Sequence, residues 1–254
     1  MSGPVNLARA APVDGWLGRI GRGLWAPRCL VCGEAAAGPL DLCRACEAAL
    51  PWMPEACLHC AMPLPPAGPR PGTTAPGPGD RLCSACQHDP PPLAETFAAF
   101  LYGFPLDRLL PRLKFHGDLA AGRLLAQAMA VACGARARPD VLVPVPLHRA
   151  RLRQRGYNQA LELARPLGRM LGLPVRADLL QRRRNTTAQS RLDAGARAAN
   201  LRGAFAVPAR LDPPPHVALV DDVMTTGATL NAAADALQEA GVERVTAWVC
   251  ARAP

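Results

Sequence analysis

Lysine is almost missing from this chain. Of 29 basic residues in 254, 28 are arginine, and Lys114 is the single lysine. Aromatic residues are also scarce, at 4%, so leucine, valine and alanine must supply most of the core. No apolar run approaches the ~20 residues of a bilayer-spanning helix, so no membrane span is expected. Residues 1–27 carry Arg9, Arg19 and Arg22 and no sustained apolar stretch before a cleavage site. A secretory leader is therefore not expected, and the cytoplasm is the expected compartment. The spacing of Trp16, Leu17, Ile20, Leu24 and Trp25 predicts a short amphipathic helix within residues 1–26.

The arginine excess accompanies abundant alanine, proline and glycine, which points to compositional drift. Its placement is more telling. From Arg149 to Arg210 there are 14 arginines against three acids, a local net of +11 in a chain whose total is +9. A field of this kind suits polyphosphate or nucleic acid.

Eight of the ten cysteines form four CxxC pairs: Cys29/Cys32, Cys43/Cys46, Cys57/Cys60 and Cys83/Cys86. Without a leader, disulfides are disfavoured, and two such hooks supply the four thiolates of a closed tetrahedral zinc site. Two structural zinc ions are expected. Either the hooks pair in sequence, which the short gap from Cys32 to Cys43 favours, or they pair crosswise, first with third and second with fourth. His59 and His88 are read as bystanders, and Cys133 and Cys250 as core residues.

Residues 62–80 hold seven prolines and four glycines, which reads as a flexible insertion within the second ribbon. The boundaries expected are an N-terminal segment 1–26, a double ribbon 27–90 and a second domain 93–254. In that domain strands are expected at 96–102, 141–145, 217–220 and 245–249, with a short one at 178–181. Helices are expected near 106–115, 118–135, 157–171 and from 229 to about 240. Alternation of this kind argues a doubly wound α/β parallel sheet.

The most informative stretch is 217–230. An apolar strand, Val217 to Val220, runs into two adjacent carboxylates, Asp221 and Asp222; Thr225, Thr226, Gly227, Ala228 and Thr229 follow and open a helix. The first turn of a helix presents unpaired N–H groups to an anion, glycine permits close approach and threonines add donors. The carboxylates accept hydrogen bonds from vicinal hydroxyls, so the ligand expected is a sugar phosphate. These residues resemble the phosphoribosyl-pyrophosphate (PRPP) motif of type I phosphoribosyltransferases.

A second constellation follows the 141–145 strand: Pro144, Val145 and Pro146, then an arginine-rich loop with Arg149, Arg153 and Arg155, then Asn158. Ligands of open α/β sheets bind outside the carboxyl ends of the strands, and this segment resembles the pyrophosphate loop of the same enzymes. A third, polar stretch from 181 to 205 contains Arg184 and Gln189; residues 182–203 are expected to form a hood over the ligand.

The four hooks, Arg-Gly-Tyr-Asn-Gln-Ala at 155–160, Asn-Thr-x-x-Gln-x-x-Leu at 185–192, the spacing Arg197, Asn200, Gly203 and Phe205, and the PRPP motif together resemble the ComF family over about residues 27–252. That resemblance implies an N-terminal double zinc ribbon, a type I phosphoribosyltransferase-like domain and a link to natural competence for DNA uptake. It also implies Mg²⁺ acting with PRPP, Asp221 and Asp222 on the ribose hydroxyls, residues 225–229 on the 5′-phosphate with Val220 also among the substrate-binding residues, and a transfer in which pyrophosphate leaves. Lys114 lies in a Leu-Lys-x-x-Gly stretch similar to those that reach the pyrophosphate, and it is placed with Asp221, Asp222 and Arg184 among the catalytic residues. No residue identifies the acceptor. The alternatives are a PRPP or nucleotide sensor without chemistry, or a DNA-uptake adaptor whose ribbons dock a partner such as a helicase. Residues 29–86 carry five acids against three arginines, which favours protein docking over single-stranded DNA for the ribbons. The 93–254 domain is expected to keep its ligand without them.

Overall fold

In the computed structural model, described for residues 27–36, 40–65, 81–134, 137–184, 201 and 203–254, the ribbons precede an α/β domain. The N-terminal helix expected within 1–26 and most of the Pro/Gly insertion, 66–80, lie outside the described residues. The two ribbons share one plan. In each, the first hook is a tight turn, with Gly33 N donating to Cys29 O at 2.9 Å and Ala61 N to Cys57 O at 2.8 Å. In each, the second hook opens a single helical turn: α1 (Arg44–Ala48) after Cys43, α2 (Ser84–His88) after Cys83.

The α/β domain runs β1 (Glu95–Leu101), α3 (Leu106–His116), α4 (Leu119–Cys133), β2 (Val141–Pro144), α5 (Arg149–Arg155) and α6 (Gln159–Leu171). It continues through β3 (Gln181–Arg182), β4 (Phe205–Ala206), β5 (His216–Met224), α7 (Ala228–Glu239) and β6 (Arg244–Arg252). Four strands form one all-parallel sheet in the order β1-β6-β5-β2, and β3 and β4 form a separate antiparallel pair. Continuous apolar runs such as Val217–Val220 are what such strands require, because helices cover both faces. Ala218 and Val220 pack with α3, α4 and α6, whereas Val217 and Leu219 pack with α7 and the β3–β4 pair. The outer edge of β1 is covered by the link between the ribbons: Met53 N donates to Ala99 O at 3.0 Å and Leu101 N to Pro51 O at 2.8 Å. This leaves the edge no free row of donors for a stray strand.

Three local expectations need correction. Strand β5 does not stop at Val220; it stays paired with β6 as far as Met224 opposite Arg252, so both carboxylates sit on the strand itself. The short strand expected at 178–181 falls at 181–182, because its partner is Phe205–Ala206 and not the main sheet. The arginine-rich segment is not a loop but helix α5, capped by His148, whose Nδ1 accepts from Ala150 N at 3.2 Å.

Gly168 lets α6 lie close to the return toward β2. A Cβ there would meet the Leu173 carbonyl oxygen at 2.7 Å and a Val175 methyl at 2.6 Å. Alanine in a helix interior ordinarily gains ~1 kcal/mol over glycine, but here the obstacle is backbone. Gly168→Ala is expected to lower stability by about 1–3 kcal/mol, read from the denaturant midpoint followed by circular dichroism.

Candidate functional site

Strands β2 and β5 end side by side, Pro144 opposite Val220, with Val145 N donating to Val220 O at 2.9 Å. The space beyond their carboxyl ends is where an open α/β sheet receives a ligand. Alternation along β5 sends the two acids to opposite faces. Asp222 shares the face of Ala218 and Val220, is 3% exposed, and its Oδ2 lies 3.1 Å from Lys114 Nζ. Among the described residues that oxygen has no hydrogen bond besides this ionic contact.

The lysine is delivered by a fixed corner. It sits in the last turn of α3, which ends at Gly117 in the left-handed region, φ 66°. Tyr157 clamps that corner: its hydroxyl donates to Leu113 O and accepts from Gly117 N at 3.1 Å. Beyond it, Asp118 caps α4 by accepting from Ala121 N at 3.0 Å and pairs with Arg112 at 2.6 Å. The 155–160 stretch is thus spent largely on architecture. Asn158 caps α6, accepting from Ala160 N at 3.1 Å, while its amide donates to Val145 O at 3.1 Å. Arg155 donates to the buried Gln159 at 2.6 Å and lies over the Phe115 ring.

Asp221 points to the other face of the sheet. Loss of hydration, and then the Asp222 charge, push its carboxyl well above the usual carboxylate range, with Lys114 pulling the other way. On its side Arg182 stacks over Phe205, its guanidinium 5.3 Å from the ring centre. Burial, and then the nearby Arg151, draw the Arg182 guanidinium below its ordinary range, opposed by Asp221. Neither Arg182 nor Arg151 was singled out by the sequence. Helix α5 explains the second: arginines at every other position divide into two i,i+4 pairs, Arg149 with Arg153 facing solvent and Arg151 with Arg155 half-buried. Arg182 is turned inward by β3, and Arg184, two residues on, is exposed. Gln189, with residues 185–200 of the expected hood, lies outside the described residues.

The loop after β5 leads into α7 through Gly227, at φ 78°. Thr225 and Thr226 are exposed. The helix receives no side-chain cap and has no acid in its first turn. Helices α4, α5 and α6 are each capped by a side chain, so α7 presents an open N-terminus toward the cleft. Ala228 N makes only a long 3.5 Å contact, to Thr226 Oγ1. Gly227 also packs tightly, since a Cβ there would sit 2.6 Å from the Met224 methyl.

The hooks pair in sequence. Cys29, Cys32, Cys43 and Cys46 bring their sulfurs within 4.8 Å of one another, as do Cys57, Cys60, Cys83 and Cys86. Cys32 and Cys43 are 3.7 Å apart and Cys60 and Cys83 3.6 Å. Thiolates tetrahedrally placed at Zn–S of ~2.3 Å stand about 3.8 Å apart, so both donor sets fit zinc. Burial opposes ionisation of Cys29, yet amides of Cys43, Cys32 and Val31 hold its thiol down at about 6, and Cys57 is held at about 7 in the same way. His59 is engaged elsewhere, 2.9 Å from Leu93 O. Cys133 and Cys250 are buried in the core.

Residues 20–87 match the double zinc ribbon domain, and residues 158–254 match the phosphoribosyl transferase domain. Fold and cleft together define a zinc-ribbon protein with a phosphoribosyltransferase domain. Competence protein F of Haemophilus influenzae is 32% identical over 235 residues, covering 89% of this chain and 97% of that protein. DNA utilization protein YhgH is 33% identical over 221 residues in Salmonella typhimurium, covering 83% of this chain and 90% of that protein. The Escherichia coli K12 protein of the same name is 34% identical over 179 residues, 67% of this chain and 77% of that one. The chain belongs to the family of competence protein F, the ComF family. Among the described residues no helix is long and apolar enough to cross a membrane.

Elemental analysis is expected to find two zinc ions per chain, one for each four-cysteine set; one ion or none would refute the double-ribbon reading. For Asp221 the sign of its shift makes a second prediction. A carboxyl raised on folding is harmless below the unfolded value of ~3.9 and destabilises progressively as pH rises through the folded value. Asp221→Asn should therefore raise the melting temperature at pH 7, with the difference from the parent closing toward pH 4. Its amide oxygen can still accept from Asp222 N, which donates to Asp221 at 2.9 Å.

Proposed function

We propose that this protein binds PRPP, or a closely related phosphoribosyl compound, in the cleft beyond β2 and β5 and acts as a phosphoribosyltransferase in competence or DNA use. The observation that carries this is the meeting of an open helix N-terminus, at α7, with two carboxylates at the end of the preceding strand, one of them paired with Lys114. Residues 225–229 receive the 5′-phosphate on backbone N–H groups and threonine hydroxyls. The carboxylates of Asp221 and Asp222 accept from the ribose hydroxyls, Asp222 exchanging part of its Lys114 contact for a ligand donor. Lys114, Arg151 and Arg182 place positive charge where the pyrophosphate leaves, with the solvent-facing Arg149 and Arg153 adding to the field. Bound with the ligand, Mg²⁺ supplies further neutralisation of the pyrophosphate, and the carboxylates are oxygen donors of the kind it takes. The relatives' names support the competence and DNA side of this reading. The acidic ribbons suit a protein partner in that machinery.

Calorimetry with PRPP and Mg²⁺ tests the site. The double variant Asp221→Asn, Asp222→Asn is expected to lose binding while staying folded, because charge-assisted hydrogen bonds contribute about 1.5–3 kcal/mol each. Lys114→Arg is expected to weaken affinity about tenfold, ~1.4 kcal/mol, since a planar fork cannot sit where a compact ammonium does. Unchanged affinity in a folded double variant would sink the assignment. Release of pyrophosphate from PRPP across a panel of nitrogen acceptors separates enzyme from sensor.

A further inference from the structure

The two-module plan leaves one buried charge unexplained. Arg252, the last residue of β6, is 5% exposed and pairs with no carboxylate among its hydrogen bonds; its guanidinium is spent on main-chain oxygens. Nε donates to Cys60 O at 2.9 Å, Nη1 donates to Met224 O at 3.3 Å, and Nη1 also donates to Ala253 O. Cys60 belongs to the second zinc hook, and Met224 is the residue from which the phosphate loop departs. One side chain thus spans the joint between ribbon and loop. A cavity of about 480 Å³ lies at this joint, bordered by Cys60, Cys83, Thr226, Asn231 and Arg252.

The mechanical path continues from Met224. Its carbonyl is held by Arg252 and by Ala253 N at 2.9 Å, and its methyl packs under Gly227, where a Cβ would come to 2.6 Å. Gly227 O then accepts from Asn231 N at 2.9 Å, an opening hydrogen bond of α7. The electrostatics run the other way, from ribbon to arginine. Four thiolates around one Zn²⁺ leave two negative charges, the counter-charge a buried guanidinium requires. Without zinc the hook at 57–60 keeps its bonds to β1, Thr96 N to Leu58 O at 2.6 Å and Thr96 Oγ1 to His59 O at 2.7 Å, but it loses the charge beside Arg252 and the ion that joins Cys60 to the hook at 83–86.

We propose that Arg252 is a positioning residue through which zinc in the second ribbon orders the phosphate loop and the opening turn of α7, so that filling this zinc site raises affinity for the phosphoribosyl ligand. The affinity half rests on the function proposed above; the coupling itself does not. It replaces the expectation that the 93–254 domain keeps its ligand unaided, because the Cys60 carbonyl that anchors Arg252 lies outside that domain.

The test uses the full-length protein in four variants: Cys83→Ser in the second zinc site, Cys32→Ser in the first, Arg252→Lys and Arg252→Gln. Amide hydrogen exchange of residues 231–234 reports the opening of α7 without any ligand. Cys83→Ser is expected to lose one of two zinc ions and to speed that exchange about tenfold or more. Cys32→Ser loses one zinc ion and leaves that exchange unchanged. Arg252→Lys keeps a charge beside the thiolates but cannot fork between two carbonyls. It should therefore retain two zinc ions, with release to a chelator near the parent rate, yet show the faster exchange. Arg252→Gln should show the faster exchange and faster release of the second zinc. A residue needed only for packing would not split the two readouts in this way. PRPP affinity should fall about tenfold in Arg252→Lys. Parent-like exchange in Arg252→Lys overturns the coupling, and decides the matter even if Cys83→Ser fails to fold. Faster exchange with parent-like PRPP affinity overturns the affinity half. A parent protein that binds no PRPP refutes the proposed function instead, while the exchange still decides the coupling.

Discussion

Two adjacent carboxylates at the end of a buried strand repel one another and lose hydration, and a fold that keeps them must offset both costs with nearby positive charge. Much of the α/β domain can be understood as that provision. Asp222, nearly inaccessible, receives Lys114, the single lysine in a chain of arginines. A compact ammonium makes a single point contact with that buried oxygen, where a guanidinium would bring a planar fork with fixed donor directions. Gly117, Tyr157 and the Arg112–Asp118 pair all hold the corner from which the lysine reaches. Asp221 on the other face lies within electrostatic reach of Arg182, itself supported by the Phe205 ring. Alternation along a strand lets one acidic dipeptide address two differently built walls.

This arrangement sets stability against readiness. The cleft concentrates an uncapped helix end, a carboxyl held far from its ordinary range and half-buried guanidinia, features that are costly to hold without a ligand. The surrounding frame carries that load through backbone-directed bonds. Tyr157 binds Leu113 and Gly117, Asn158 binds Val145, and Arg252 binds Cys60 and Met224. Such bonds constrain chain position and leave the chemistry of the cleft walls free.

Much of this was legible in the sequence. The apolar runs at 141–145, 217–220 and 245–249 announced strands because burial on both faces demands continuous hydrophobicity. The CxxC hooks announced zinc because two of them supply the four thiolates of a closed tetrahedral site. Long-range geometry was not legible. Nothing local says that β5 runs on through its acids, since that depends on β6 offering partners as far as Arg252. The alternating arginines of 149–155 contain no strong helix periodicity, and which of them turn inward follows only from the cap at His148. Arg182 and Arg184 look equivalent in a run of three, and the pairing of β3 with β4 separates them. Lys114 was noticed for its rarity, yet its contact with Asp222 joins residues more than a hundred positions apart.

Among the ties between the ribbons and the α/β domain, two are arginines that grip a main-chain oxygen within a hook: Arg112 binds Leu30 O, and Arg252 binds Cys60 O. Every amino acid presents the same carbonyl. Side chains of the ribbon surfaces can therefore drift from species to species without loosening these two ties, provided the hooks and both arginines persist. The α/β domain carries the side-chain half of each fastening, and the ribbons remain free to change the face they show to other molecules.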